Sequence, residues 1–270
     1  MKLSNIFNRR NRILLKELVV TDFKLRYQGS ALGYLWSVLK PLFLFAILYL
    51  VFDKFLKLGR GVEHYPVYLL TGVVLWSFFT EATTQGLNSI VKRGSLIRKI
   101  NFPKYIIVIS GTISALINLA INIGVIFVFV LLNGVHISPE ALLVIPLILE
   151  LYVFALALAF FLAALNTKYR DIGYLWEILL QAAFYAVPII YPMQRVLGSG
   201  YDHLAGYILV NPVSQVVQDV RHVFITHDSV TLWQLFHDWR LAIPFVVILL
   251  FGVLGALYFR KNSNYFAEQI

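Results

Sequence analysis

Six apolar blocks alternate with short charged or polar segments along this chain, over 31–52, 65–90, 104–133, 141–165, 172–192 and 241–259. A helix needs about 20 apolar residues to cross a hydrocarbon core of roughly 30 Å, and each block is that long or nearly so. The pattern predicts an all-α integral membrane protein with six transmembrane helices and little soluble mass. No stretch between blocks is long enough to bury a core of its own. One transmembrane domain over 1–270 is therefore expected: an interface helix within 1–30, spans one to five in 31–192, an outer segment in 193–240, span six in 241–259 and a tail in 260–270.

Two segments outside the blocks also carry a pattern. Lys16, Glu17, Asp22, Lys24 and Arg26 interrupt 13–27, so it does not span. Leu14, Leu15, Leu18, Val19 and Phe23 nevertheless fall near a helical period, with Asp22 the one break in the stripe. That describes an amphipathic helix in the headgroup plane, either a basic anchor or a surface for a cytoplasmic partner. The outer segment holds two apolar pieces, each too short to span, on either side of Asn211-Pro212. They read as short re-entrant helices before the last span, an outer gate centred on Asn211 and Pro212, or else as an exposed loop.

Composition agrees with a membrane chain: 59% of residues are hydrophobic and 14% charged, against about a quarter charged in soluble domains. The net charge of +9 acquires meaning from its placement. With the N-terminus inside and six spans, 16 of the 23 basic residues fall inside: Lys2, Arg9, Arg10, Arg12, Lys16, Lys24, Arg26, Lys92, Arg93, Arg98, Lys99, Lys104, Lys168, Arg170, Arg260 and Lys261. Six fall outside, Lys54, Lys57, Arg60, Arg195, Arg221 and Arg240, and Lys40 lies in the first span. This bias puts both termini in the cytoplasm. It also argues against nucleic acid as a partner, which needs a clustered basic face on a soluble fold. The chain has no cysteine, hence no disulfide framework and no thiolate chemistry. The basic start lacks the apolar run of a cleavable signal peptide.

Several residues stand out against the apolar background. The second span turns polar at Ser77, Thr80, Glu81, Thr83, Thr84 and Gln85, so that side must meet protein or water; packing between helices and a functional lining both fit. Glu150 and Glu177 lie in the fourth and fifth spans. With Glu81 they are costly intramembrane acids that face an interior. Lys40 either snorkels to the headgroups or places a cation at an inner mouth. Catalytic motifs are missing: no GxxxxGK followed by Ser or Thr, and no GxGxxG. His222 and His227 have the wrong spacing for a helical zinc pair, so neither a metal site nor a catalytic residue is assigned.

Four local patterns converge on one family. They are RYQGSALGYLWSVLKP over 26–41, LIRKINFPKY over 96–105, NTKYRDI over 166–172, and Asn211-Pro212 before the last span. In this order and topology they resemble the transmembrane permease subunit of type-2 ABC exporters for lipid-linked polysaccharide, the O-antigen and teichoic acid permeases. The likeness covers essentially the whole chain. It implies a bacterial plasma (inner) membrane location, a homodimer, and assembly with two copies of a separate ATP-binding subunit. ATP and Mg2+ then belong to that subunit, and this chain has no cofactor and is not itself an enzyme. It further implies a polyprenyl-diphosphate-linked glycan as cargo, moved from the cytoplasmic to the outer side.

The family's coupling helix maps onto Ile97, Arg98, Lys99, Ile100 and Phe102, with apolar anchors and complementary charge for the ATP-binding subunit. Lys40 and Arg170 become candidates for the inner mouth. In NTKYRDI, Asp171 is placed to cap the fifth span, and Arg170 either anchors to lipid phosphate or meets substrate. Aromatic residues make up 15% of the chain. On the first and fifth spans, which the family brings together across a dimer, Tyr34, Trp36, Tyr185 and Tyr191 are the expected pore lining, since sugar C–H faces pack on aromatic rings. Two alternatives remain at this level: a type-2 ABC exporter of a drug or other lipid, and a membrane-embedded enzyme built on Glu81, Glu150 or Glu177.

Overall fold

The computed structural model describes residues 8–198, 200 and 202–269. Lys2, counted above among the inside cations, lies outside them. The described residues form helices joined by short turns, with no strand. Helix α1 (Arg9–Tyr27) precedes α2 (Trp36–Leu48), which a 3₁₀ turn at Gly33–Leu35 introduces and a π-helical stretch at Tyr49–Phe55 prolongs. Next come α3 (Tyr65–Lys92), the short α4 (Gly94–Lys99), α5 (Tyr105–Leu132), α6 (Val144–Lys168) and α7 (Ile172–Ala186). Four short helices follow, α8 (Met193–Leu197), α9 (Asp202–Leu209), α10 (Pro212–Phe224) and α11 (Leu232–Leu235), before α12 (Ile243–Asn262) and α13 (Phe266–Gln269).

Helix α3 is the axis of the molecule. Its most apolar window is 78% buried, against 11% for the first span and 17% for the last. It packs on α5, α6, α2, α7 and α10, while α12 lies against α6. Without a hydrophobic force between helices in lipid, close approach depends on small residues. Gly86 supplies it between α3 and α6, where a Cβ would come within 2.3 Å of the Ala159 Cβ. Gly255 does the same between α12 and α6, where a Cβ would lie 2.6 Å from the Ala157 carbonyl oxygen.

Among the described residues, five helical stretches are long and apolar enough to cross a membrane: Gly33–Phe55, Tyr65–Lys92, Tyr105–Leu132, Pro139–Lys168 and Trp239–Asn262. The remaining block, expected over 172–192, forms α7, which has 15 residues and is about 22 Å long. It stops because Pro188 cannot continue the helical hydrogen-bond ladder. The chain then runs without helix through 187–192 into α8. The break at Asn211-Pro212 is real: the Asn211 side chain accepts from the Val213 N–H at 2.9 Å, and Pro212 takes the first turn of α10, where its missing N–H costs nothing.

The two ends of the bundle differ. Leu18 of α1, Ile97 of α4, Phe102, Phe259 of α12 and Phe266 of α13 share one buried cluster; this is the basic end. At the far end, Met193, Ala205, Leu209, Val230 and Leu232 form another, from α8, α9 and α11. Asp171 holds the N-cap position of α7, but its side chain makes no capping bond and its backbone is already helical. The capping expected from sequence is thus not made.

Candidate functional site

A groove of about 1040 Å3 runs along α3, with α7 on one side and Leu44 of α2 at its rim. Its floor comes from one stripe of α3: Trp76, Thr80, Thr84, Leu87, Asn88 and Val91. The spacing is helical, so these side chains share a face. The α7 wall is Gly173, Tyr174, Trp176, Glu177, Leu180, Gln181, Phe184 and Tyr185. Asn166 and Arg170 close the groove at the basic end. Trp176 is fixed in the wall by donating from its indole N–H to the Thr83 hydroxyl at 3.2 Å, and Thr83 in turn donates to the Phe79 carbonyl at 2.8 Å. The Asn166 amide donates to the Leu87 carbonyl at 3.2 Å. The lining therefore combines aromatic faces with hydroxyl and amide groups, one acid and one guanidinium. It offers stacking faces and hydrogen-bonding groups of the kind a hydroxyl-rich ligand uses.

The structure divides the expected pore aromatics. Tyr185 lines the groove and is 68% exposed. Tyr34 stacks on Phe23 at 5.2 Å and lines a separate cleft of about 450 Å3 with Thr21, Lys24 and Gln28. Trp36 is exposed at the start of α2 and is not part of the groove wall. Tyr191 donates to the Ala186 carbonyl and packs against the far-end cluster. Trp76, Asn88 and Gln181 were not singled out from sequence. Trp76, Thr80, Thr84 and Asn88 recur at i, i+4, the signal that could have found Trp76 and Asn88; Gln181, on α7, lies outside that repeat.

The three intramembrane acids occupy three different environments. Glu177 lines the groove. Glu81 leaves the groove stripe of α3 and turns toward α1 and α5, where Arg26 of α1 pairs with it. There Asn118 donates to both carboxylate oxygens at 2.8 and 3.1 Å, and Gln85 donates at 2.7 Å. Glu150 faces α10 near Gln215 and Asp219, with its Oε1 buried and without a hydrogen-bond partner among the described residues; Gln215 donates to Asp219 at 2.6 Å. Asp22, the polar break in the stripe of α1, pairs with Arg93, which also donates to the Ser110 hydroxyl at 3.1 Å. Two ion pairs thus fasten α1 to the bundle, one to α3 and one to the start of α4.

Among the inner-mouth candidates, Arg170 closes the groove, whereas Lys40 is exposed on α2 outside it. The coupling candidates also separate. Ile97 and Phe102 are 6% and 7% exposed and belong to the buried cluster of the basic end. Arg98, Lys99 and Ile100 are exposed. The segment is therefore anchored inward by two apolar side chains and presents two cations and one isoleucine outward.

At the far end, Arg221 of α10 is fully buried, which its place among the outside cations did not suggest. Its Nε donates to the Tyr68 carbonyl at 3.0 Å, Nη2 to the Ile189 carbonyl at 2.8 Å, and Nη1 to the Pro188 carbonyl and Gln218 Oε1. The guanidinium lies 3.5 Å from the Tyr68 ring centroid. The Tyr65 hydroxyl donates to the Ile190 carbonyl at 2.7 Å. The carbonyls freed where α7 breaks are thus met by α10 and α3. Asn211 is exposed and Pro212 buried. His222 and His227 meet with ring centroids 5.0 Å apart, and His222 Nδ1 is 3.0 Å from the Ser229 carbonyl.

An all-helical chain with several bilayer-length apolar helices and a polar, aromatic groove between them is a multi-pass membrane protein of the transport class. The family model described as "ABC-2 type transporter" matches residues 13–225, and the chain belongs to that family. It is 26% identical to the O-antigen export system permease protein RfbA of Myxococcus xanthus over 96% of both chains. It is 28% identical to an RfbA of Klebsiella pneumoniae over 94% of both. The capsule polysaccharide export inner-membrane protein CtrC of Neisseria meningitidis is 20% identical over 93% of this chain and 90% of its own length.

Proposed function

We propose that this chain is the permease subunit of an ATP-driven exporter that carries a polysaccharide, attached to a polyprenyl diphosphate, from the cytoplasmic to the outer side of the bacterial inner membrane. The observation that carries the reading is the groove over α3, in a family whose relatives are named for O-antigen and capsule export. Its aromatic and amide lining matches the two faces of a sugar, C–H and hydroxyl. A hydroxyl, amide and charged lining is costly against lipid, so a second copy facing the first would close two grooves into one pathway. Arg170, at the basic end, is placed to meet the diphosphate. Lys40, outside the groove, fits headgroup anchoring better. The basic end then faces the cytoplasm with both termini, and residues 1–270 act as one transmembrane domain.

Arg98, Lys99 and Ile100 are the surface offered to a separate ATP-binding subunit, in two copies, which holds ATP and Mg2+. The chain itself performs no catalysis, and the dispersal of Glu81, Glu150 and Glu177 over three environments speaks against an enzyme built on them. The far-end helices around Asn211 and Pro212 act as the outer gate. The test uses the assembled complex in proteoliposomes. Polyprenyl-linked glycan should stimulate its ATPase, and Tyr185→Ala should blunt that stimulation severalfold while the subunits still co-purify. Stimulation by small amphipathic drugs, with none by the glycan, would instead favour a drug or lipid exporter on the same scaffold.

A further inference from the structure

The tail beyond the last long helix lies outside the region that the family match covers, which ends at residue 225. Chain ends usually fray unless something ties them down. Here α12 ends at Asn262, the chain turns, and α13 brings Phe266 back into the protein. Phe266 is 0% exposed and meets Phe259 edge-to-face at 5.2 Å. It belongs to the buried cluster that holds Leu18 of α1 and both inward anchors of the 94–102 segment, Ile97 and Phe102. Helix α13 packs directly on α4 and on α6. Arg170, at the groove's basic end, reaches the Gln269 carbonyl at 3.4 Å. One short helix thus touches the coupling segment and the groove's end residue, and its buried ring packs on the last span.

We infer that the C-terminal helix is a brace for the coupling segment: Phe266 fills the socket behind Ile97 and Phe102 and holds Arg98, Lys99 and Ile100 in the posture that the ATP-binding subunit engages. Helix α4 has only six residues, too few to be stable by itself. Its position depends on what lies behind it, and the tail supplies part of that backing. Phe266 is a positioning residue in this role, with Tyr265 exposed beside it. The inference rests on the permease reading for the identity of the partner, but the brace itself can be tested within the chain.

The absence of cysteine makes a single Ile97→Cys a unique reporter. In purified protein, a water-soluble maleimide should label it slowly. Truncation after Asn264, or Phe266→Ala, should raise the rate about tenfold or more as the socket opens. Phe266→Leu should keep the slow rate, which separates loss of the plug from general unfolding. The Arg98→Glu, Lys99→Glu pair should leave labelling unchanged yet release the ATP-binding subunit, and the truncated chain should release it too. Unchanged labelling after truncation overturns the brace. Faster labelling with the ATP-binding subunit still retained overturns its link to coupling while the permease reading stands. If the Arg98→Glu, Lys99→Glu pair also retains the subunit, the coupling surface itself is wrong.

Discussion

Arg221 shows how much one side chain can organise here. A buried cation is tolerated only when its donors are met. This one meets three main-chain carbonyls and an amide oxygen, with a tyrosine ring beneath it. Burial pushes its pKa down from the ordinary guanidinium value, with the neighbouring tyrosines acting the other way. Even so, a group of this kind stays charged at neutral pH. Gly72 makes room for it: a Cβ there would lie 2.3 Å from Nη2. Lysine carries the charge without the planar fork and with three donors on one nitrogen, so Arg221→Lys should leave at least one of the four acceptors unmet. The cost should be about 3 kcal/mol, visible as a lower Tm in detergent. A Tm equal to wild type would show that the carbonyls have other partners. Glu81 is the counterpart on α3. Glu81→Ala removes the carboxylate that Arg26, Asn118 and Gln85 share. It should loosen α1, so that a cysteine at Leu18, 9% exposed in the native protein, labels severalfold faster. Labelling at the native rate would mean that the Asp22–Arg93 pair alone holds α1.

At the scale of elements, the shortened α7 and the far-end helices belong together. Helix α7 stops at Pro188, and the polar backbone it exposes has to be covered by protein in a membrane. Helix α10 does the covering, and its Val216 and Val220 are 0% and 2% exposed. Single cysteines at these two positions should react slowly with an impermeant thiol reagent added from outside, and Ile208→Cys, half-buried in α9, at an intermediate rate. Uniformly fast reaction would describe a solvated loop and remove the outer gate. Helix α3 shows a different division. Its polar residues serve two faces, Thr80, Thr84 and Asn88 toward the groove and Glu81 and Gln85 toward α1 and α5. A single sequence stripe thus holds both a lining and an internal lock.

For the whole molecule, the open groove is the decisive feature. One copy leaves Tyr174, Ile178 and Tyr185 of α7 and Phe43 and Ile47 of α2 exposed around polar lining. Apolar rims can face lipid, but the lining is costly there. If a second copy covers it, single cysteines stepped along α2 and α7 should form disulfide-linked dimers at positions that repeat every three or four residues. A complete absence of such dimers in native membranes would exclude this face as the seam.

The long apolar spans were legible in the sequence, because the length demanded by a bilayer acts on each segment separately. The break at Asn211-Pro212 was equally local, since proline forbids helix continuation whatever surrounds it. The four short patterns also carried the family, through residues such as Arg98, Lys99 and Arg170. What the tertiary structure decided is rotation and partnership. Which way Glu81 faces, that Tyr34 and Tyr191 lie apart from Tyr185, that Ile97 and Phe102 turn inward, and that Arg221 is buried all depend on contacts between distant segments. Helical periodicity fixes which residues share a face; only packing against other helices determines where that face points.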